Sequence, residues 1–454
     1  MHTNRRLDWS YLLLYPYMAV TFIPWVKYRV QFRLVLPLLV VWVFVAFYSR
    51  RQLPFPWEGT KYLIATLFFL IMSHTLSLLY FPFGYSNGMD YASFVDLVMS
   101  VFPLSVLHFS ICNGRWRELR ALVIFCFICC TIGLGINLLG ESIIEGGSRA
   151  LTGSSSEFAD LMEVSSALEA GIGGYGFIYG LALLIFPILF FVNFMNRAMK
   201  FFLIAFSLLI LGTTYKMGYS ICMTGVAFAG FIYLITRLRV SLSVIKLIGV
   251  IVVSALVTVV ANPRIISFML APLQELSGRI DQKEYQMRLE SIADAVAGTD
   301  NTYAVSRSEL YWTSWKTFLR HPFFGIGHYD YKSDAREIDN IGGHSLLFDM
   351  MGHYGLFGLS IFLLFFFFYR RYLRVMSFAI LGFQWWSAYY IFLFPAAAIA
   401  FINPLGGYVV YSAFLFVIPS LALFSSKRIV SSPSCEFVAR PPSNGRIISD
   451  KVRI

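Results

Sequence analysis

Apolar residues fill this chain in long runs separated by short polar breaks. A bilayer-spanning helix takes about 20 mostly apolar residues. Runs of that kind lie near 10–26, 33–49, 62–82, 91–111, 119–139, 173–194, 199–213, 217–236, 243–262, 345–369, 376–402 and 407–425. The pattern predicts an all-α polytopic membrane protein of about 12 transmembrane helices. The seventh run is short, and it also fits one half of a broken span completed by the eighth. Four stretches follow: nine helices over 1–262 with a short outer loop at 140–172, a large outer loop at 263–344, three helices over 345–426, and a basic Ser/Pro-rich inner tail at 427–454.

The large loop is the longest polar segment, and loops of that length are as a rule functional. Within it Ser306-Arg-Ser-Glu309 reads as a capping box that starts a helix. Leu310, Tyr311, Trp312, Trp315, Phe318 and Leu319 then recur at helical spacing. This predicts an amphipathic helix whose Trp and Phe side chains anchor it in the membrane interface. The chain turns at His321-Pro-Phe-Phe-Gly-Ile-Gly327, and residues 265–297 fit another helix carrying Arg279 and Arg288.

Composition agrees: 58% of residues are apolar and 13% charged, against about 45–50% and about 25% in soluble domains. An ordinary cytosolic enzyme, a disordered chain and a fibrous repeat are excluded. The net charge of +11 would suggest nucleic acid in a soluble protein. Here the cations sit between apolar runs, and no nucleic-acid motif accompanies them. With the N-terminus inside, most of the 36 Lys and Arg fall on the inner side, as topology signals and contacts to anionic membrane lipid. Lys27, Arg29 and Arg33 run against that rule. Cys126 and Cys129 form a C-x-x-C inside an apolar run with no second pair, which reads as structural and lipid-embedded rather than zinc-binding. Arg5 and Arg6 precede an apolar stretch broken at Pro16 and Pro24, read as a retained first helix.

No soluble-enzyme motif is present: no P-loop, G-x-S-x-G, H-E-x-x-H or D-x-D. Without an acidic pair to hold a metal, glycosyl transfer would be metal-independent. No metal site and no cofactor are expected. What remains is a set of outer-side cations and histidines. Arg149, Lys216, Arg288 and Arg307 all map to one membrane side. Lys216 lies in a very short connection between two apolar runs, where a cation is costly unless paired or functional. Two readings stand for these four: interfacial snorkelling, or capture of a diphosphate, which needs several positive donors. His344 sits where the long loop re-enters the membrane, in Gly342-Gly-His-Ser-Leu-Leu-Phe-Asp349. With an unperturbed pKa of about 6.5 it can accept a proton from an attacking hydroxyl, or it can serve as a polar helix cap. Asp349 and His353 stand four residues apart on one helix face, as a structural or a catalytic pair. His321 is a further histidine of the same loop.

The ordered series Arg307, Trp312, Phe318, His321-Pro322, Gly325-Ile-Gly327, His344 and Tyr354-Gly-Leu-Phe-Gly358 resembles the signature of the O-antigen polymerase and ligase superfamily. The resemblance covers about 50 residues, with the long loop before the tenth span in keeping with it. It implies a GT-C-like glycosyltransferase, multi-pass in the bacterial inner membrane, with its active site on the periplasmic face. The loops at 140–172 and 263–344 would be periplasmic and the tail cytoplasmic. The implied substrate is an undecaprenyl-diphosphate-linked glycan, and a chain-length regulator protein is a further partner it allows. By resemblance Arg307 and Lys216 hold the diphosphate, Arg149 adds to the phosphate or glycan site, and His344 activates the acceptor hydroxyl; Arg288 joins the diphosphate set, with Asp349, His353 and His321 in support. Lys216 follows Tyr215 where the family has Arg after Ser, and Ser345 stands where Asn is common. An Arg-x10-Gly loop motif found in some polymerases is absent.

The leading expectation is polymerisation of lipid-linked repeat units into O-antigen or a related surface polysaccharide by inverting transfer. The alternatives are a ligase passing the glycan to lipid A core, and a lipid-linked glycan transporter or flippase without catalysis. A transporter predicts ionisable residues near the midplane and matched broken helices. Here polar residues concentrate in one outer loop and no internal repeat is seen, which favours the enzyme.

Overall fold

A backbone N–H or C=O surrounded by hydrocarbon has no water to pair with, so apolar stretches satisfy their own backbone as helices. The computed structural model describes residues 9–50, 91–143, 167, 169–192, 195–216, 302–326, 341–342, 345–376, 396, 399–400 and 408–425. Among the described residues the regular elements are all helical, with no strand. A 3-10 turn (Trp9–Leu13) leads into α1 (Leu14–Phe22) and α2 (Pro24–Arg50); then follow α3 (Tyr91–Cys112), α4 (Trp116–Ile143), α5 (Tyr175–Phe191), α6 (Arg197–Lys216), α7 (Thr302–Arg320) and α8 (Leu346–Met376). The last stretch runs as α9 (Tyr408–Ser412), a π-helical turn (Ala413–Val417) and α10 (Ile418–Ser425).

Two described helices are long and apolar enough to cross a membrane, over Trp116–Gly140 and Arg197–Tyr215. The first predicted hairpin differs from expectation. Pro24 ends α1 at Ile23, which is extended (φ −118°, ψ 103°). The chain then bends by 94° between Pro24–Val30 and Leu34–Ala46. The runs predicted at 62–82, 217–236 and 243–262, and most of 376–402, lie outside the described residues, as do 263–301 of the large loop and the tail.

The core gathers α1 to α6 with α9 and α10. Trp42 is fully buried and meets Phe102 and Phe109 edge-on, each at a centroid distance of 5.4 Å. Tyr17 adds a contact with Phe102 at 5.3 Å, and Phe127 of α4 packs on Phe206 of α6 at 5.1 Å. Cys126, Cys129 and Cys130 are buried in this core as free thiols, so their apolar position faces protein and not lipid. Asn137, fully buried in α4, accepts a hydrogen bond from the Gly173 N–H at 2.5 Å. That clip pins the start of α5, and so one end of the 140–172 loop.

The π turn has an identifiable cause. Pro419 has no N–H to give a carbonyl one turn back, and the Ile418 N–H reaches Ala413 O in the wider π register. The Phe414 carbonyl is served by the Tyr369 hydroxyl at 2.9 Å, from the buried side of α8.

α7 and α8 form a packed pair joined through a broken helix. Gly355 interrupts α8 with φ 60° and ψ −161°, a region open essentially to glycine alone. In an unbroken helix the Leu356 N–H would bond to Gly352 O and the Phe357 N–H to His353 O. Here Leu356 N–H donates to Pro322 O at 2.8 Å and Phe357 N–H to Phe323 O at 3.0 Å. Gly352 O, freed by the break, accepts the Ile326 N–H at 3.1 Å. The turn after α7 therefore supplies the partners that the break in α8 removes. The approach is close on both sides: a Cβ on Gly355 would lie 2.5 Å from the Phe323 carbonyl, and one on Gly325 (φ 65°) would clash with that of His353.

Two predictions follow from these backbone arrangements. Gly355→Ala should lower the unfolding midpoint in detergent, through strain of about 1–3 kcal/mol plus the clash with Phe323. Gly135→Ala, where a Cβ meets nothing within 4 Å, should stay within about 1 kcal/mol of the parent; equal midpoints for the two variants would contradict the broken-helix account. Tyr369→Phe should cost about 0.5–1.5 kcal/mol in the same assay, the net worth of the hydrogen bond it removes, and an unchanged midpoint would show that this bond does not stabilise the fold.

Candidate active site at the junction of two helices

α7 starts at Thr302, four residues before the predicted capping box. Ser306 is thus interior to the helix and does not cap it; the upstream Tyr303-Ala-Val305 carries the helix on. The predicted aromatics divide between two faces. Tyr311 stacks on Phe348 of α8 at 5.8 Å, and Trp315 meets Phe348 at 6.2 Å and Phe318 at 5.1 Å. Phe318, Ser314 and Thr317 are buried. Trp312, Leu319 and Phe323 are exposed, with the Lys316 ammonium 5.8 Å from the centre of the Trp312 ring. Of the predicted anchors Trp312 is exposed, whereas Phe318 is buried beside Trp315, which meets Phe348 of α8.

Above these rings a polar network closes the junction. The Ser314 hydroxyl donates to Asp349 Oδ1 at 2.6 Å and accepts the Gly342 N–H at 2.8 Å. Asp349 Oδ2 accepts the Ser345 N–H at 3.0 Å. Ser345 caps α8: its hydroxyl accepts the Phe348 N–H at 3.3 Å and also lies 3.4 Å from Ala400 O, to which it donates. The first turn of a helix leaves N–H groups without intrahelical partners, and an acidic side chain there also gains from the helix dipole. Asp349 thus does for α8 what a capping-box Glu does, from one position further along. The segment also lies directly on α7, since a Cβ on Gly342 would clash with Leu310 O. Buried Ile341 packs beside Gly352.

The predicted site residues fare differently. Asp349 belongs to the junction, with both carboxylate oxygens engaged by Ser314 and Ser345. His353 lies one turn further along α8, its ring 5.7 Å from that of Tyr354, and its carbonyl is the group against which Gly325 packs. His321 ends α7 and shapes the turn through its backbone, its N–H bonding to Thr317 O and its carbonyl accepting the Gly325 N–H, both at 3.0 Å. Arg307 is placed on α7 two helical turns before Ser314. Lys216 is the last described residue of α6. Arg149, Arg288 and His344 lie outside the described residues, although His344 falls between Gly342 and Ser345, both of which the junction holds.

Ser314 and Ser345 were not singled out as functional from the sequence. The signal for Ser314 was a small polar residue on the otherwise apolar side of an aromatic helix. That for Ser345 was a good N-cap type directly before an apolar run.

Comparison with known proteins adds one match. No curated protein matches the chain. A family model described as O-Antigen ligase matches residues 201–363, which include Lys216, the whole of α7, the turn, the junction and the break in α8. Over that segment the chain is similar to the family described as O-Antigen ligase.

Proposed function

We propose that the protein polymerises undecaprenyl-diphosphate-linked repeat units into O-antigen or a related surface polysaccharide, at the periplasmic face of the bacterial inner membrane. The observation that carries this reading is the family match, because one matched segment contains Lys216, Arg288, Arg307 and His344. The α7–α8 junction supports it by joining the helix of Arg307 to the chain on either side of His344.

In this reaction the acceptor hydroxyl oxygen attacks the anomeric carbon of the lipid-linked donor from the face opposite the diphosphate. The carbon–oxygen bond to the diphosphate breaks, and the leaving group departs with the electron pair. His344 takes the hydroxyl proton as general base. Negative charge builds on the leaving diphosphate, so the cations act where charge develops. Arg307 with Arg149 and Arg288 offers forked donors to phosphate oxygens, whereas Lys216 offers a point charge. Asp349 serves the α8 cap, and His353 and His321 serve the turn.

The family's description as O-antigen ligase favours a second reading, in which the same donor chemistry passes the glycan to lipid A core. Deletion of the gene separates the two on a gel of surface glycan. One repeat left on core, with the ladder gone, marks the polymerase. Loss of every repeat marks the ligase, and an unchanged ladder defeats both.

His344→Ala and Arg307→Ala should each abolish the ladder while the protein still reaches the membrane, as followed by complementation and membrane immunoblot; a normal ladder from either removes that residue from the mechanism. Lys216→Arg should keep the ladder and Lys216→Ala should shorten or erase it. Full-length glycan from Lys216→Ala would remove the diphosphate role from that position.

A further inference from the structure

A cavity of about 240 Å³ lies between the first turns of α4, the start of α6 and the end of α10. Among the described residues Val123, Ile124 and Phe127 of α4, Met199 of α6 and Phe424 of α10 give it apolar walls. Arg120 and Asn196 are its polar members. Met199 is near the first residue of α6 and Lys216 is its last described one, so about 25 Å of helix separates the cavity from that cation.

The order of these groups along α4 is informative. Arg120, Val123, Ile124 and Phe127 stand at spacings that share one helix face. The apolar span of α4 begins at Trp116, which places Arg120 about 6 Å inside it. Val123, Ile124 and Phe127 follow about 5–10 Å deeper. Charge at headgroup depth, with apolar walls at acyl depth, repeats the order of groups along a phospholipid. Asn196 adds a donor at the mouth: its Oδ1 accepts the Met199 N–H at 2.9 Å, which leaves the amide NH₂ to give.

The sign of the charge selects the lipid. The chain at the starts of α4 and α6 carries Arg115, Arg117, Arg120, Arg197 and Lys200. Against them stands one acid, Glu118, and it pairs with Arg115 at 3.5 Å. Arg120 is exposed, and a cation this near hydrocarbon is costly unless something anionic meets it. The volume is below the roughly 300–1,000 Å³ of pockets that enclose a whole small ligand. It suits a length of one acyl chain, with the rest of the lipid in the bilayer. Met199 fits that role, since its unbranched thioether adapts to a flexible chain.

We propose that this cavity binds one anionic phospholipid of the surrounding bilayer, with an acyl chain along Ile124, Phe127 and Met199 and the phosphate held by Arg120 and the Asn196 amide. The bound lipid ties the start of α6 and the end of α10 to α4. The assignment needs only that α4 crosses the bilayer, and it stands apart from the choice between polymerase and ligase.

The test uses the full-length protein in detergent, titrated with dioleoyl phosphatidylglycerol, dioleoyl phosphatidylcholine or undecaprenyl phosphate. Native mass spectrometry reads the bound lipid and a thermal scan reads the unfolding midpoint. Phosphatidylglycerol should bind more tightly than phosphatidylcholine and should raise the midpoint as its concentration rises. Arg120→Ala should weaken phosphatidylglycerol about fivefold, the worth of one Lys or Arg near an anionic membrane surface, and leave phosphatidylcholine unchanged. Ile124→Trp fills the cavity without altering charge and should weaken both phospholipids. Met199→Trp fills it from the facing wall and serves where the first variant does not fold.

Equal binding of the two phospholipids overturns the proposal, as does an Arg120→Ala variant that keeps the parent's preference. Parent-level binding of phosphatidylglycerol by a folded cavity-filling variant places the lipid elsewhere and also overturns it. Displacement of phosphatidylglycerol by an equal concentration of undecaprenyl phosphate would give the cavity to the polyprenyl lipid instead.

Discussion

The α7–α8 unit depends on one constraint: a helix broken among apolar neighbours leaves backbone groups that something else must satisfy. In hydrocarbon an unpaired N–H or C=O costs several kcal/mol, more than most single side-chain contacts contribute. The break at Gly355 removes the helical partners of Leu356, Phe357 and Gly352. The turn at 322–326 replaces all three, through Pro322 O, Phe323 O and the Ile326 N–H. The exchange works only if two backbones come nearly into contact, and both sides are glycine there, Gly325 against His353 and Gly355 against Phe323. Gly325 of the turn and Gly355 of the following helix are thus two halves of one contact.

With that contact made, the rest of the junction has little freedom. α7 is fixed to α8 at its C-terminal end by the turn and two turns earlier by Ser314 and Asp349, with Tyr311, Trp315, Phe318 and Phe348 filling the space between. Two separated polar anchors and an aromatic layer define both rotation and register. Ser345 belongs to the same scheme, since it caps α8 while its N–H completes the bond to Asp349.

Much of this was legible in the sequence, for physical reasons that also mark where reading stopped. α4 and α6 were predicted within a few residues because hydropathy over a long run is a sum that no single contact changes. The glycines of the turn and of α8 were visible as a spacing, but their pairing links residues about 30 apart and leaves no local pattern. The capping box at Ser306 failed because capping competes with simple extension of the helix, and the sequence Tyr303-Ala-Val305 extends it. The Asp349–His353 spacing suggests a shared helix face, but it gives no sign that the carboxylate also reaches the Ser345 N–H at the start of α8, a first-turn donor that the helix itself does not use. Ser314 gave only the hint of a polar residue among aromatics, because its partners come from two other segments.

The two faces of α7 set where this unit sits. One face is buried on α8; the other exposes Trp312, Leu319 and Phe323 beside Lys316 and Arg320. In water that surface would leave several large apolar groups uncovered, whereas at the edge of a bilayer the rings meet acyl chains and the cations meet headgroup phosphates. On α8, Leu356, Leu363, Leu364 and Phe367 are also exposed, at helical spacing beyond the break. An apolar stripe on α8 and an aromatic and cationic stripe on α7 are what a helix pair passing from hydrocarbon to interface presents.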